Sequence, residues 1–349
     1  MADVPELLQR LLTTAGPSGY EIEAASAWRD AASFGDLDTD GIGSSIVRVG
    51  EADPLLAIVG HIDEIGFAIT HVNEKGFLYF TPIGGWDPQI LVGQRVEIRT
   101  RDGIVPGVIG RKPIHLLREE QRKQVVELKG LHIDIGAADK DAALEMIRIG
   151  DPAVVAAEPV SLAGSRLASR SMDNRLGAFV ALEVARRCDE RGKLTGSVAG
   201  VAAVQEEIGL HGAGTSAHHL RPALAVAVDV AHATDPPGIE EGEVGSHPLG
   251  SGPVISRGST LSPKVFELLA ATAEREGIGH TLEASGRSTH TDADAYQISR
   301  AGIPTGLVSI PLRYMHSPVE TVDLEDVESV IRLLVAFAES LDGDVDLAR

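Results

Sequence analysis

Five short acid or histidine motifs stand where apolar segments of this chain give way, and no other feature constrains its fold more. They are His61-Ile62-Asp63, Asp173-Asn174, Glu206-Glu207, Asp229 and Met315-His316. Buried strands ordinarily end in turn residues. Imidazoles and carboxylates repeated at strand ends and at a helix start therefore point to one polar site assembled from distant segments. A set of this kind suits a pair of metal ions.

The segments between these motifs alternate in periodicity. Helical patterns over 5–12 and from about Glu21 precede the apolar run Leu55-Leu56-Ala57-Ile58-Val59-Gly60. After Ala163 the pattern predicts helix 173–190, strand 197–205, strand 223–230, helix 263–276, a strand near 280–284, strand 305–310 and a closing helix over 324–341. Such alternation predicts an α/β fold, a mostly parallel sheet flanked by helices, built from residues 1–70 and 161–349. Between them, 71–160 reads as an inserted β-rich domain of barrel type. Pieces such as Phe77-Leu78-Tyr79-Phe80 and Arg95-Val96-Glu97-Ile98 alternate there with Gly and Pro turns, interrupted by a short helix over 140–147.

With 349 residues and 43% hydrophobic content the chain can bury a sizeable core and is long enough for two domains. No apolar stretch approaches a membrane span, and the start, Met-Ala-Asp-Val-Pro-Glu, lacks a secretory pattern, so a cytoplasmic location is expected. A formal charge of −20, from 51 acids and 31 bases, argues against nucleic acid and anionic membrane as partners. The single cysteine, Cys188, excludes an intrachain disulfide and a thiolate cluster. Any metal must therefore use nitrogen and oxygen ligands.

Each motif has a structural and a chemical reading. Glu206-Glu207 places two anions together, which repel unless a cation compensates. Adjacent residues point in different directions, which allows one to bind metal while the other handles protons. Asp229 closes a run too apolar for a surface strand, so its carboxylate needs a partner. His61 and Asp63, two apart on one strand face, match a metal-bound histidine with an aspartate on its other ring nitrogen. Asp173 taken alone reads as a helix N-cap, and His316 alone as a structural loop histidine. Their joint occurrence favours one site. His132-Ile133-Asp134 echoes the His61 motif within the insertion, and with no second ligand cluster beside it, it reads as a structural strand.

Gly60-His61-Ile62-Asp63-Glu64-Ile65-Gly66-Phe67, Pro82-Ile83-Gly84-Gly85-Trp86-Asp87-Pro88, Val204-Gln205-Glu206-Glu207-Ile208-Gly209-Leu210 and Arg313-Tyr314-Met315-His316-Ser317-Pro318 together resemble the M42 metallo-aminopeptidases. These are the tetrahedral, glutamyl and deblocking aminopeptidases of bacteria and archaea. The likeness runs from Gly16-Pro17-Ser18-Gly19 to the last helix. It implies two divalent metal ions per subunit, zinc first, though cobalt and manganese suit the same ligands. Asp173 would bridge them, with Glu207 and His316 completing one site and His61 and Asp229 the other. Glu206 would be the general base for a metal-bridging hydroxide, and Asp63 would orient His61. The implied activity is removal of N-terminal residues from peptides with a free N-terminus. A deacylase or carboxypeptidase on the same core is the alternative. The resemblance also implies a homo-oligomer built through the inserted domain, often a twelve-subunit shell; the Gly84–Pro88 segment is compatible with that role or with internal packing. The chain departs from the family pattern at Asn174, where many relatives carry aspartate, and at Ser288–Ala295, which is poorer in glycine.

Overall fold

A computed structural model describes residues 4–343 and Leu347; the remaining terminal residues of the expected catalytic unit, including Met1–Asp3 of the start, lie outside the described residues. An eight-stranded sheet runs in the order Asp36–Thr39, Ser45–Val49, Ser197–Ala203, Leu55–His61, Leu224–His232, Thr305–Leu312, Val254–Gly258 and Thr281–Ser285. Its four middle strands, from Ser197–Ala203 to Thr305–Leu312, are parallel, and antiparallel neighbours flank them on both sides. The expected α/β architecture is therefore present.

Side-chain alternation sorts the core into two faces. Leu56, Ile58, Val226, Val228 and Val308 pack with helices Glu6–Thr13, Ile22–Ala31, Met172–Arg191, Pro263–Arg275 and Leu324–Ser340. Ala57, Val59, Ala225, Ala227 and Leu307 pack on the other face with Ala213 and Ala217 of His211–Leu220 and Tyr296 of Asp292–Ile298. Each fully buried aliphatic side chain contributes roughly 1.5–3 kcal/mol of transfer free energy. By the period of two, His61 and Asp229 continue the second register, so both side chains emerge on one face.

Close backbone approach brings the first turn of Met172–Arg191 up to these strands. A Cβ on Gly60 would lie 2.2 Å from the carbonyl carbon of Gly177, and one on Gly177 would lie 2.4 Å from the Val228 oxygen. Only glycine leaves room for the helix to cross there. The indole of Trp28 is fully buried and donates to the Ala178 carbonyl at 2.8 Å, which locks the N-terminal helices to the same element.

After His61 the chain leaves the sheet and forms a closed barrel of strands Gly66–Val72, Leu78–Ile83, Leu131–Asp134, Gly103–Arg111, Arg95–Thr100 and Pro152–Val155. Phe67, Leu78, Val96, Ile98 and Ile133 give it a core of its own. His132 lies in a barrel strand, edge-on to Phe77 at 5.0 Å between ring centroids, as its structural reading requires. The return passes through a three-stranded antiparallel sheet of Val160–Ser161, Arg166–Ser169 and Glu320–Asp323. That small sheet carries Glu320 to the mouth of the parallel strands.

Candidate metal centre

The structure brings His61, Asp63, Asp173, Glu206, Glu207, Asp229 and His316 into one cluster. Asp173 lies at its middle. Its Oδ1 is 3.2 Å from His61 Nε2 and its Oδ2 is 3.3 Å from His316 Nε2. His316 Nε2 is also 3.3 Å from Glu207 Oε1, and His61 Nε2 is 3.7 Å from Glu206 Oε2. Potential ligand atoms of His61, Asp173 and Glu207 fall within 4.8 Å of one another, as do those of His61, Glu206 and Asp229.

The N-cap reading of Asp173 does not hold. Backbone angles at Asp173 and Asn174 are not helical, and it is Asn174 whose Oδ1 accepts the Gly177 N–H at 2.8 Å. The Asn174 amide donates in turn to the Val228 carbonyl at 2.8 Å. With the capping done by its neighbour, the Asp173 carboxylate is left to the cluster. Two further placements differ from expectation. Asp229 does not end its strand, because the pairing with Thr305–Leu312 continues through His232. Asp63 lies beyond the end of Leu55–His61 rather than on its face. From the loop it still reaches His61, with Oδ1 3.5 Å and its backbone oxygen 3.2 Å from Nδ1.

Asp63 also organises the paired glutamates. Its two oxygens accept the backbone N–H of Glu206 at 3.0 Å and of Glu207 at 3.1 Å, and Ser18 donates its hydroxyl at 2.6 Å. Glu320, fully buried, does the same for another pair of segments. It accepts the N–H of Asp173 at 3.2 Å and of His316 at 2.8 Å. Below them Glu64 bonds to both Arg170 and Arg175, and Arg175 donates to the Leu11 carbonyl at 2.7 Å. Removing one partner from such a buried network costs about 3–5 kcal/mol.

Ser18, Glu64, Arg175 and Glu320 escape a sequence reading because each sits in a segment with a plausible local role. Glu320, four residues past His316 in a polar stretch, carries no periodic signal at all. Asp292 is the other omission. It is fully buried at the start of its helix and neither carboxylate oxygen has a hydrogen-bond partner.

Electrostatics follow from crowding seven carboxyl groups, those of Asp63, Asp173, Glu206, Glu207, Asp229, Asp292 and Glu320, around two imidazoles. Burial pushes Glu206 up to about 10, opposed by His61 and reinforced by Asp229, Asp292 and Glu207. Asp229 and Glu320 rise for the same leading reason, and Asp292 is pushed to about 7. Burial also acts on Asp173, but His316 and His61 outweigh it and hold this carboxyl well below the usual range. His316, although burial opposes its charge, is raised to about 11 by Asp173 and Glu207. Burial and mutual repulsion thus favour the neutral form of most of these carboxyls, while the two imidazoles favour the charged form of Asp173.

The barrel closes one side. A Cβ on Gly84 would lie 3.1 Å from Glu207 Oε2 and one on Gly85 3.2 Å from His316 Nδ1. Trp86 stacks on Phe67 at 5.0 Å and donates to the Gly66 carbonyl at 3.1 Å. Trp86 thus packs inward, while Gly85 and Asp87 of the same loop stay exposed. A cavity of roughly 350 Å³ opens from the cluster toward Glu283, Thr289, His290 and Thr291. Cys188 lies apart, buried in its helix with its thiol pushed up to about 12 by burial. No helix among the described residues is long and apolar enough to cross a membrane.

The sequence and the fold both have counterparts among known proteins. The sequence model of the M42 glutamyl aminopeptidases matches residues 43–333. A lysyl aminopeptidase of Pyrococcus furiosus is 33% identical over 343 residues, spanning 96% of this chain and 97% of its own. The structure of a TET aminopeptidase from the marine sediment archaeon Thaumarchaeota archaeon SCGC AB-539-E09 superposes with a TM-score of 0.93 at 35% identity, covering 97% of both chains. The Pyrococcus horikoshii TET1 peptidase, described as assembling into a tetrahedron or a large octahedral shell, superposes with a TM-score of 0.86 at 35% identity over 96% of this chain and 99% of its own. A sequence match across most of the chain and a shared fold lead to the same conclusion: the chain belongs to the M42 glutamyl aminopeptidase family.

Proposed function

We propose that this chain is a metal-dependent aminopeptidase that removes N-terminal residues from peptides, with Asp173 shared between two divalent ions. The observation that carries the reading is that Asp173 turns one carboxylate oxygen to each of two histidines. The donor set fits such ions. It is all nitrogen and oxygen, it carries excess negative charge, and buried Glu207 Oε1 makes no hydrogen bond, meeting only the His316 ring nitrogen at 3.3 Å. His61 and Asp229 would hold one ion, Glu207 and His316 the other. Bound there, divalent ions would supply Lewis acidity to the scissile carbonyl and acidify the attacking water.

The remaining chemistry falls to the chain's own groups. Glu206, beside His61 and facing the cavity, takes the proton of the attacking water and delivers it to the departing amine. Asp63 holds the turn bearing Glu206 and fixes the His61 ring. Among the described residues no lysine or arginine lines the cavity, so a C-terminal carboxylate has no cationic anchor. A free α-amine, by contrast, meets carboxylates. This favours an aminopeptidase over a carboxypeptidase.

Hydrolysis of aminoacyl-p-nitroanilides by metal-stripped protein, with zinc, cobalt or manganese restored in turn, tests the function. Turnover of N-acylated but not free peptides would support the deacylase alternative. We further propose that the chain forms a homo-oligomer through its barrel, as suggested by the shells of the P. horikoshii relative. Sedimentation as a monomer at micromolar concentration would reject the assembly and leave the chemistry standing.

A further inference from the structure

We infer that Glu283 selects peptides whose first residue carries a cationic side chain, lysine or arginine; this rests on the aminopeptidase reading above. Glu283 lies in the wall of the same cavity as Asp173, Glu206, Glu207 and Asp229, but on the Thr281–Ser285 strand at the far edge of the sheet. It is half-buried. Its Oε2 accepts the hydroxyl of Ser256 at 2.8 Å, and Ser256, in register with it on the adjoining strand, is itself only 1% exposed. The carboxylate is therefore held in place by a rigid neighbour.

Charge then decides what it can receive. Because no lysine or arginine lines the cavity among the described residues, no guanidinium or ammonium of the protein's own neutralises Glu283 from within it. An acidic first side chain would meet Glu283 and the anionic cluster with no such partner, even though the family takes its name from glutamyl substrates. An apolar one would desolvate Glu283 without replacing its lost water contacts. A lysine or arginine side chain supplies a charge-assisted hydrogen bond to the oxygen that Ser256 leaves free.

Length points the same way. Three strand spacings separate Asp229 from the Glu283 strand, about 14 Å between backbones. With the peptide's first residue held at the cluster, only a long side chain reaches across that span, and the long stems of lysine and arginine do so.

The test uses the metal-loaded enzyme and lysyl, arginyl, leucyl and glutamyl p-nitroanilides. The lysyl and arginyl compounds should have the highest kcat/KM. Glu283→Gln should lower the lysyl-to-leucyl ratio of kcat/KM by about 10- to 100-fold, and Glu283→Lys should move preference toward the glutamyl substrate. Inhibition of the wild-type enzyme by lysinamide and by norleucinamide, which differs in lacking the side-chain amine, needs no variant; lysinamide should bind about tenfold tighter or better. Equal inhibition by the two, a wild-type preference for leucyl or glutamyl substrate, or a lysyl-to-leucyl ratio unchanged in Glu283→Gln would each overturn the assignment while leaving an aminopeptidase in place. Failure to hydrolyse any free aminoacyl substrate would overturn the aminopeptidase reading, and this one with it.

Discussion

Asp63 Oδ1 accepts the backbone N–H of Glu206 at 3.0 Å, so the loop after one parallel strand sets the position of the proposed base after its neighbour. Its other oxygen holds Glu207 and receives Ser18. Asp63→Asn keeps the size but turns an NH2 group toward one of these donors. Metal affinity or kcat should fall about 10- to 100-fold, the scale of losing an outer partner at a metal site. Metal titration together with steady-state kinetics reads this, and unchanged values in both would remove Asp63 from the positioning role.

The paired glutamates should separate cleanly. Glu206→Gln preserves volume and removes the base, so both ions should remain while turnover drops roughly 10²–10⁴-fold. Glu207→Gln replaces a charged ligand and should leave one ion weakly held. Elemental analysis and kinetics on both variants decide the assignment; swapped phenotypes would exchange the two roles.

Asp173→Ala should lower occupancy of both metal positions, whereas His61→Ala and His316→Ala should each weaken mainly one. Asn174, not Asp173, caps the following helix, so the helix should survive the change. Two tightly bound ions per chain in Asp173→Ala would reject the shared-ligand reading.

Metal-free protein should become less stable as pH rises. Glu206, raised to about 10, and His316, raised to about 11, both keep protons in the folded state that the unfolded chain releases near the ordinary values. Folded protein thus binds more protons across this interval, and stability declines between about pH 4.5 and 11. Divalent ions displace those protons, so metal binding should release protons and strengthen with pH. Thermal melts from pH 6 to 9 should show the gap between loaded and stripped protein widening. A constant gap would contradict the charge pattern.

Much of the architecture was legible because it rests on local pattern. Runs such as Leu55–Gly60 and Leu224–Val228 are apolar on both faces, which only a doubly covered strand requires, and the helical periods between them imply parallel connections. The barrel was legible from its short strands and Gly-Pro turns. The candidate residues His61, Asp173, Glu206, Glu207, Asp229 and His316 stood out because charged groups at the ends of such runs are costly without a partner.

Contacts between segments far apart in sequence were decided only by tertiary structure. That Asp173 faces two histidines depends on Gly60 and Gly177 letting a helix cross a strand and on Asn174 taking over the cap. Glu320 reaches the site through pairing with Ser169, and Glu283 reaches the cavity across the sheet from the cluster. Neither residue has a local signature, because a hydrogen bond to a distant backbone N–H, as at Glu320, or to a distant hydroxyl, as at Glu283, leaves no periodicity in the chain. Residue type and spacing determined which groups needed a partner; packing decided which partner each received, since burial imposes the need but only the assembled fold fixes the distances.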